Sequence, residues 1–392
     1  IRHSDLQDMD RAEFFQSLTA VTDAELNRRT RLDVLTNGEQ FYEAELDAIA
    51  GAQRTVNLEA YIFRPGQVAD RFVAALAARA REGVEVRVLL DGVGSMRTTE
   101  ADFEPVLVAG GKLFFYHPLR VTLLPRYNNR THRELLVIDG TTGFVGGAGF
   151  ADEWLITTPR RGRWRDTMVR VQGSAVNNLQ ATFFENWLEA SGEMIVGDHH
   201  FPTADVEGDT PAIVVNSTPS AGGSTRARVL FQMLLASATQ TIHITTPYFL
   251  PDPSLAEELK KAVERGVEVL VLVPGTHSDQ LLTRRTSRLG YGRLLPHGVR
   301  IFEYRPSMLH AKVLLVDGRW SVIGTTNFDN RSFGLNDEVN LAVCDVAFAR
   351  RLEEDFGADV RQAAEIDYES WKHRGLVERG LEVVGWLLER QQ

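Results

Sequence analysis

The sequence predicts an α/β protein made of two tandem copies of one structural unit, and an internal repeat is the main reason. The segment "ALAARAREGVEVRVLLDG" (75–92) matches "ELKKAVERGVEVLVLVPG" (258–275). Each copy has a helical pattern, a glycine that ends the helix, and a strand of alternating valine and leucine. The two copies therefore predict a duplicated fold.

Strand patterns surround both copies in the same order. A strand that ends in an aromatic turn precedes each one, at 56–66 and 240–252, and a glycine-led strand follows each one, at 110–118 and 297–306. The strand–helix–strand pieces are short, which favours parallel pairing and an α/β class. Each half is thus expected to be a β-α-β-β-β unit with trailing helices.

Composition and the positions of polar stretches indicate the domain boundaries. A polar arm is predicted at 1–31, a first domain at 32–205, a second at 206–370 and an amphipathic C-terminal helix at 371–392. The polar stretch 198–212 is the expected linker. The apolar positions of the tail fall on one helical face: Val377, Leu381, Val384 and Leu388.

Composition excludes several classes of protein. With 43% hydrophobic and 24% charged residues, the 392-residue chain has ample material for a core, and its net charge of −10 argues against a nucleic-acid-coating protein. Cys344 is the single cysteine, so an intrachain disulfide and a cysteine-based zinc site are excluded. No apolar run reaches about 18 residues. We expect peripheral association with the cytoplasmic membrane and allow for an N-terminal anchor ahead of Ile1.

A second pair of matched segments carries the chemistry. "THRELLVIDG" (131–140) and "LHAKVLLVDG" (309–318) share a histidine, four apolar residues and Asp-Gly. Because side chains alternate along a strand, His310 and Lys312 point to the same face, and with the glycine-rich return strand they form a candidate anion site. Further hydrogen-bond donors follow in the second copy: Ser321, Thr325, Thr326 and Asn327.

Two such units related by a pseudo-two-fold axis bring two histidines to the interface between the units, which we call the seam. One imidazole can attack phosphorus while the other, protonated, gives its proton to the leaving oxygen. Each histidine needs a carboxylate on its other ring nitrogen, and we expect Asp166 beside the first-half histidine and Glu338 beside the second. For Asp139 and Asp317, at the turn after each histidine strand, a catalytic role and a purely structural one both stay open.

These motifs resemble the phospholipase D superfamily. The HxKxxxxD pattern is complete at His310, Lys312 and Asp317, and "IGTTNFDNRSF" follows it. The phrases "LEAYIFRPG", "WRDTMVRVQG" and "ITTPYFLPD" look most like bacterial cardiolipin synthases, and the resemblance covers about residues 32–375. It implies two α/β/α sandwich domains with the active site at their interface, and chemistry without metal or cofactor. It also implies that His132 is the nucleophile and His310 the acid and base, with a phosphatidyl group transferred.

The first copy departs from the pattern at two positions. Glu134 stands where the family has lysine, and Gly149 stands where the second copy has Asn327. Because a unit charge ~4 Å from a phosphate contributes about 4 kcal/mol at an effective dielectric constant of ~20, a reversed charge predicts an impaired enzyme. Three explanations stay open: an engineered Lys→Glu substitution, a naturally degenerate member, and a natural site in which Glu134 pairs with an arginine or recruits a metal.

Three functions follow from these motifs. The first is phosphatidyl transfer on anionic phospholipids such as phosphatidylglycerol at a membrane surface, the second is a nuclease with the same chemistry, and the third is a non-catalytic lipid- or phosphate-binding protein. No nucleic-acid partner is expected because of the acidic charge. The candidate substrate-binding positions are Asn327, Thr325, Glu134 and Gly149. The basic run 159–165 is either a head-group site or a solvated loop. The two mirrored aromatic turns either line a lipid entry or pack the core.

Overall fold

The computed structural model describes residues 9–118, 129–157, 162–202, 208–219 and 225–374. Up to residue 202 the helices and strands are α1 (Ala12–Thr22), β1 (Leu26–Asn27), β2 (Thr30–Thr36), α2 (Gly38–Ala50), β3 (Thr55–Ala60), α3 (Gln67–Arg81), β4 (Glu85–Asp91), α4 (Glu104–Val108), β5 (Lys112–Tyr116), β6 (Arg130–Thr131), β7 (Leu135–Ile138), β8 (Thr142–Gly146), β9 (Thr167–Gly173) and α5 (Ala175–Ser191).

The second part of the chain repeats this series. From residue 208 onward the elements are β10 (Ala212–Ser217), α6 (Arg226–Ser237), β11 (Thr241–Thr245), β12 (Phe249–Leu250), α7 (Pro253–Glu264), β13 (Glu268–Pro274), α8 (Leu281–Tyr291), β14 (Arg300–Tyr304), β15 (Val313–Val316), β16 (Trp320–Gly324), β17 (Phe328–Asp329), α9 (Asn330–Gly334), β18 (Asn336–Cys344), α10 (Val346–Val360), β19 (Ala363–Glu365) and α11 (Tyr368–Lys372).

Two mixed sheets with the same topology form the framework. The first has the order β2-β9-β8-β7-β3-β4-β5, and the second contains the matching series β10-β18-β16-β15-β11-β13-β14. In both, the strand–helix–strand part pairs in parallel, as the sequence predicts, and the series from the histidine strand onward is antiparallel. The duplicated α/β fold is confirmed.

Helices cover both faces of the sheets and produce the α/β/α layers. Helices α2 and α3 bury Phe41 and Phe72 on the outer face of the first sheet, and α6 and α7 bury Leu234 and Leu259 on that of the second. Between the sheets, α5 and α10 contribute to one continuous core that joins side chains of both halves. The halves are therefore held together by shared apolar packing as well as by polar contacts at the site.

The described part of the N-terminal arm packs on the second half of the chain. Strand β1 pairs antiparallel with β10, and α1 buries Phe14 and Leu18 in the core of the second half. The indole Nε1 of Trp320 donates to the carbonyl oxygen of Met9 at 3.0 Å. The arm thus caps the domain that is farther along the chain.

The ends of the predicted domains fall partly outside the described residues. The boundary at 205 and most of the predicted C-terminal helix, from 375 to 392, lie outside them, so the domain limits stay a prediction. Among the helices within the described ranges, none is both long enough and apolar enough to cross a bilayer.

Candidate active site

Each histidine segment is attached by its backbone to the opposite half of the molecule. Strand β6, just before His132, pairs in parallel with Asn336–Asp337, and the His132 N–H donates to the Asp337 carbonyl at 2.9 Å. In the mirrored place Leu309 forms a bridge with Arg165, and the His310 N–H donates to the Arg165 carbonyl at 2.7 Å. The seam is therefore built from exchanged backbone segments.

This exchange also determines the carboxylate partners. His132 Nδ1 lies 3.1 Å from Glu338 Oε2, and His310 Nδ1 lies 2.9 Å from Asp166 Oδ2. The expectation that each histidine pairs with the carboxylate of its own half is wrong. Because Arg165 and Asp337 bind the histidine backbone across the seam, the adjoining Asp166 and Glu338 reach the histidine of the other half.

The surroundings of His132 define its tautomer. Its Nδ1 faces two oxygen acceptors, the Glu338 carboxylate and the Thr325 carbonyl, each at 3.1 Å. Nδ1 must therefore carry the proton, and in the neutral ring the lone pair lies on Nε2. The side chain is 12% exposed and lines the central cavity, and Nε2 is the ring nitrogen not occupied by these two acceptors.

His310 lies deeper, among aromatic rings. The rings of Trp154 and Trp164 lie 5.4 and 5.3 Å from its imidazole, and Trp154 Nε1 donates to Asp166 at 2.9 Å. Burial, and then the charge of Lys312, lower the pKa of His310, against the opposing effect of Asp166. Although burial raises it, the hydrogen bond from His310 keeps the pKa of Asp166 below its ordinary value.

Lys312 supplies positive charge at the seam. Its Nζ donates to the His310 carbonyl at 2.7 Å and lies 3.1 Å from His310 Nε2. Burial lowers the pKa of Lys312, while Asp166 and Glu338 oppose this shift. A buried ammonium beside the imidazole suits an anionic ligand.

Both histidines open on one cavity of about 730 Å³. Part of its wall is apolar, with Val93, Met96, Leu250, Pro251, Pro253 and Leu289 among the lining residues. Arginines also line it: Arg64, Arg97, Arg293 and Arg331. An apolar wall combined with guanidinium groups suits an amphipathic anion.

The two mirrored aromatic turns contribute side chains both to the cavity wall and to the cores, and a lipid entry stays a prediction. Tyr61, Ile62 and Tyr248 line the cavity. In the same turns, Phe63 and Phe249 are each 1% exposed and belong to the cores. Each turn thus has side chains at the cavity and a phenylalanine in a core.

The predicted substrate-binding residues divide into two groups. Asn327 lines the cavity, with Oδ1 buried and without a hydrogen-bond partner in the described part of the chain. Thr325 instead donates its hydroxyl to Glu338, behind His132. Glu134 accepts a hydrogen bond from the Ile62 N–H at 3.1 Å, and the Gly149 carbonyl accepts one from the Tyr42 hydroxyl. Of these four, the geometry favours Asn327 for direct contact with a ligand.

Asp139 and Asp317 have equivalent surroundings at the turn after each histidine strand. The Asp139 carboxylate accepts the backbone N–H groups of residues 53–55 at 2.7–2.8 Å. Asp317 does the same for residues 239–241 at 2.7–2.9 Å. Of the two roles left open, these contacts favour the structural one.

The described part of the basic run also has structural partners. Trp164 packs against His310, and Arg165 Nε lies 2.9 Å from Asp359 on α10. Residues 159–161 of the run lie outside the described ranges. For the described residues, the geometry favours neither of the predicted alternatives, since they help to build the seam.

Sequence reasoning missed a buried polar cluster beneath His132. Glu59 Oε1 accepts hydrogen bonds from the Thr131 hydroxyl at 2.6 Å and from the Asn186 amide at 2.7 Å. Burial raises the pKa of Glu59 to about 7. The available signal was a glutamate inside strand β3, which is buried throughout and also contains Asn57. This cluster supports the segment that leads to His132.

Comparison with known proteins agrees with this geometry. The family model described as "Cardiolipin synthase, PLD-like domain" matches residues 46–187 and 231–360, one match in each half. The chain belongs to the cardiolipin synthase-like family of the phospholipase D superfamily. It is a cardiolipin synthase-like phosphatidyltransferase, which confirms the class of enzyme expected from the motifs.

Individual relatives are similar over most of their length. The chain is 36% identical to cardiolipin synthase 2 of Bacillus anthracis over 357 residues, which are 90% of this chain and 69% of the relative. It is 36% identical to the cardiolipin synthase of Geobacillus thermodenitrificans over 358 residues, 91% of this chain and 71% of the relative. The crystal structure of phosphatidylserine synthase from Haemophilus influenzae has the same fold, with a TM-score of 0.72, 14% identity and 96% of both chains covered.

Proposed function

We propose that this protein transfers a phosphatidyl group between anionic phospholipids through a phosphohistidine on His132. Phosphatidylglycerol serves as donor and acceptor, and the product is cardiolipin. The observation that carries the proposal is the pair of histidines on one cavity, each oriented by the carboxylate of the opposite half.

The first step forms the covalent intermediate. Nε2 of His132 attacks phosphorus, and the bond from phosphorus to the head-group oxygen breaks as His310 gives that oxygen a proton. Glu338 stabilises the positive charge that develops on the His132 ring, because it accepts the Nδ1–H hydrogen bond. Glycerol leaves, and the phosphatidyl group remains on His132.

The second step reverses the roles of the attacking and leaving groups. A hydroxyl of a second phosphatidylglycerol attacks phosphorus and gives its proton to His310, and the phosphorus–nitrogen bond to His132 breaks. Water in place of the hydroxyl yields phosphatidic acid. Lys312 and the Asn327 amide are suited to balance the negative charge on the phosphoryl oxygens.

The cavity suits the polar end of a lipid. Its apolar side chains can contact the first methylene groups, and the arginines can contact phosphate. Met96 at this cavity is 62% exposed, which suits contact with a bilayer surface. Peripheral membrane association is therefore part of the proposal.

Incubation with phosphatidylglycerol vesicles in the presence of EDTA tests the proposal. We expect cardiolipin, glycerol and some phosphatidic acid, and we expect His132→Ala and His310→Ala to lose at least about 100-fold of this activity. His297→Ala, at an exposed histidine away from the cavity, is the matched control. Absence of any transfer or hydrolysis product, or cleavage of DNA instead of lipid, would overturn it.

A further inference from the structure

Glu134 holds the turn that contacts the proposed nucleophile. The glutamate is 4% exposed, and its Oε1 accepts the Ile62 N–H at 3.1 Å. The neighbouring Tyr61 ring stands edge-on to His132, with centroids 4.9 Å apart. The carboxyl group of Glu134 therefore fixes a backbone segment whose side chains contact His132 and line the cavity.

Gly149 leaves the space that this arrangement needs. A Cβ atom on Gly149 would lie 2.5 Å from the Ile62 carbonyl oxygen and 3.0 Å from Glu134 Oε1. The Phe150 N–H donates to that same Ile62 carbonyl at 2.7 Å, so the two segments are tied close together. The two departures from the repeat, at 134 and 149, thus meet at the Ile62 backbone.

The surroundings of Glu134 disfavour a negative charge. Its Oε2 is buried and has no hydrogen-bond partner in the described ranges. Burial raises the pKa of Glu134 well above its ordinary value, against the Ile62 hydrogen bond and the charge of Lys312, and Asp166 raises it further. Within the described ranges Tyr42 also faces it, and a neutral phenol adds no charge.

We propose that Glu134 is a positioning residue that works as a neutral carboxylic acid, holding the Tyr61–Ile62 turn against His132. The positioning role rests on the proposed function, whereas the neutral state does not. Lys312 then acts without a lysine counterpart in the first half. The reversed charge that predicts an impaired enzyme does not arise while Glu134 keeps its proton.

Substitutions at 134 distinguish this role from the alternative that the position has only lost the lysine of the family motif. Glutamine retains an uncharged acceptor for the Ile62 N–H, whereas lysine can only donate. We expect Glu134→Gln to keep transfer activity within about threefold and Glu134→Lys and Glu134→Ala to lose about tenfold or more, which is the scale of one lost hydrogen bond. A gain of activity in Glu134→Lys would overturn the positioning role.

The pH dependence of activity is a second readout. In the wild-type protein, ionisation of Glu134 as the pH rises repels the phosphodiester and weakens kcat/KM. Glutamine cannot ionise, so the alkaline limb of the Glu134→Gln profile should extend to higher pH. A purely structural role predicts superimposable profiles, and that result would also overturn the positioning role.

Thermal unfolding tests the neutral state without any assay of activity. A carboxyl whose pKa is raised in the folded protein destabilises it increasingly as pH rises from the ordinary pKa towards the raised one. Glu134→Gln should therefore melt above the wild-type protein at pH 8, and the difference should shrink towards pH 5. An equal difference at both pH values would overturn the neutral state, even if no lipid product were found.

Glu45 provides the matched control. It is 1% exposed on α2, burial raises its pKa well above the ordinary value, and it does not line the cavity. Glu45→Gln should show a similar pH-dependent gain of stability with unchanged transfer activity and an unchanged pH profile. If its activity profile shifts as that of Glu134→Gln does, the effect is not specific to the turn beside His132, and the positioning role is overturned.

Discussion

At the residue scale, the two histidines of the site differ in what surrounds them, and the proposed division of roles follows from this difference. His132 is 12% exposed at the side chain and has its proton held on Nδ1 by two oxygen acceptors. His310 is buried between tryptophan rings and lies beside Lys312, and its pKa is lowered by burial and by that charge. The first arrangement suits a nucleophile, and the second suits an acid that releases its proton readily.

The exchanged carboxylates lead to a prediction about His310. Asp166 raises the pKa of His310, so Asp166→Asn should lower that pKa further and shift the imidazole titration to more acidic pH. Transfer activity should fall by at least about 100-fold, because a smaller fraction of His310 carries the proton and its ring is no longer held. Titration of the histidine NMR signals, assigned with a His310→Gln variant, measures the shift.

Glu338→Gln is the control for this titration, since Glu338 belongs to His132. It should reduce activity without moving the His310 signal. A His132 shift in Asp166→Asn, with His310 unmoved, would mean that each carboxylate serves the histidine of its own half.

At the element scale, the aspartate after each histidine strand anchors the hairpin. Asp139 and Asp317 have positive φ angles of 53° and 54°, and each caps three successive backbone N–H groups of the segment that leads into β3 or β11. The HxKxxxxD spacing thus places the histidine proposed for catalysis at one end of the strand and an aspartate that anchors the turn at the other.

Removing either cap should affect stability more than catalysis. Asp139→Ala and Asp317→Ala each remove the acceptor of three N–H groups, two at exposed residues and one part-buried, which costs about 1–2 kcal/mol of unfolding free energy. Urea unfolding measures this loss, and kcat of the folded fraction should stay within about twofold. Loss of kcat by 100-fold with an unchanged unfolding midpoint would assign these aspartates to the chemistry instead.

At the scale of the whole molecule, the two halves build one site from exchanged parts. Each histidine takes its backbone partner and its carboxylate from the opposite half, and a common core with α5 and α10 lies between the sheets. Arg165 adds an ion pair to Asp359 at the same junction. Neither His132 nor His310 takes its carboxylate partner from its own half, so the proposed chemistry needs both halves together.

The sequence predicted the duplicated fold because helix and strand periods are local and recur in the same order in both halves. It also indicated His132, His310 and Lys312, since their spacing places these side chains at one end of a strand. It could not predict which carboxylate serves which histidine, because that depends on backbone pairing across about 200 residues, as between His132 and Glu338.

The environment of Glu134 was equally out of reach. A glutamate in place of lysine suggests a negative charge, but the charge state depends on burial and on the Ile62 N–H, which is 72 positions away in the chain. In the sequence, Gly149 appeared as a second defect. In the structure, its lack of a side chain leaves room for Ile62 and Glu134. Physical contact, and not the motif, connects the two departures.

The most direct test of the proposed chemistry is to trap the covalent intermediate. Phosphatidylglycerol labelled in its acyl chains is mixed with the enzyme and quenched rapidly at alkaline pH, where a phosphorus–nitrogen bond survives, and the peptides are mapped by mass spectrometry. We predict the phosphatidyl label on His132, its absence in His132→Ala, and a lower yield in Glu338→Gln. A label on His310, or turnover to cardiolipin with no label on either histidine, would contradict the account.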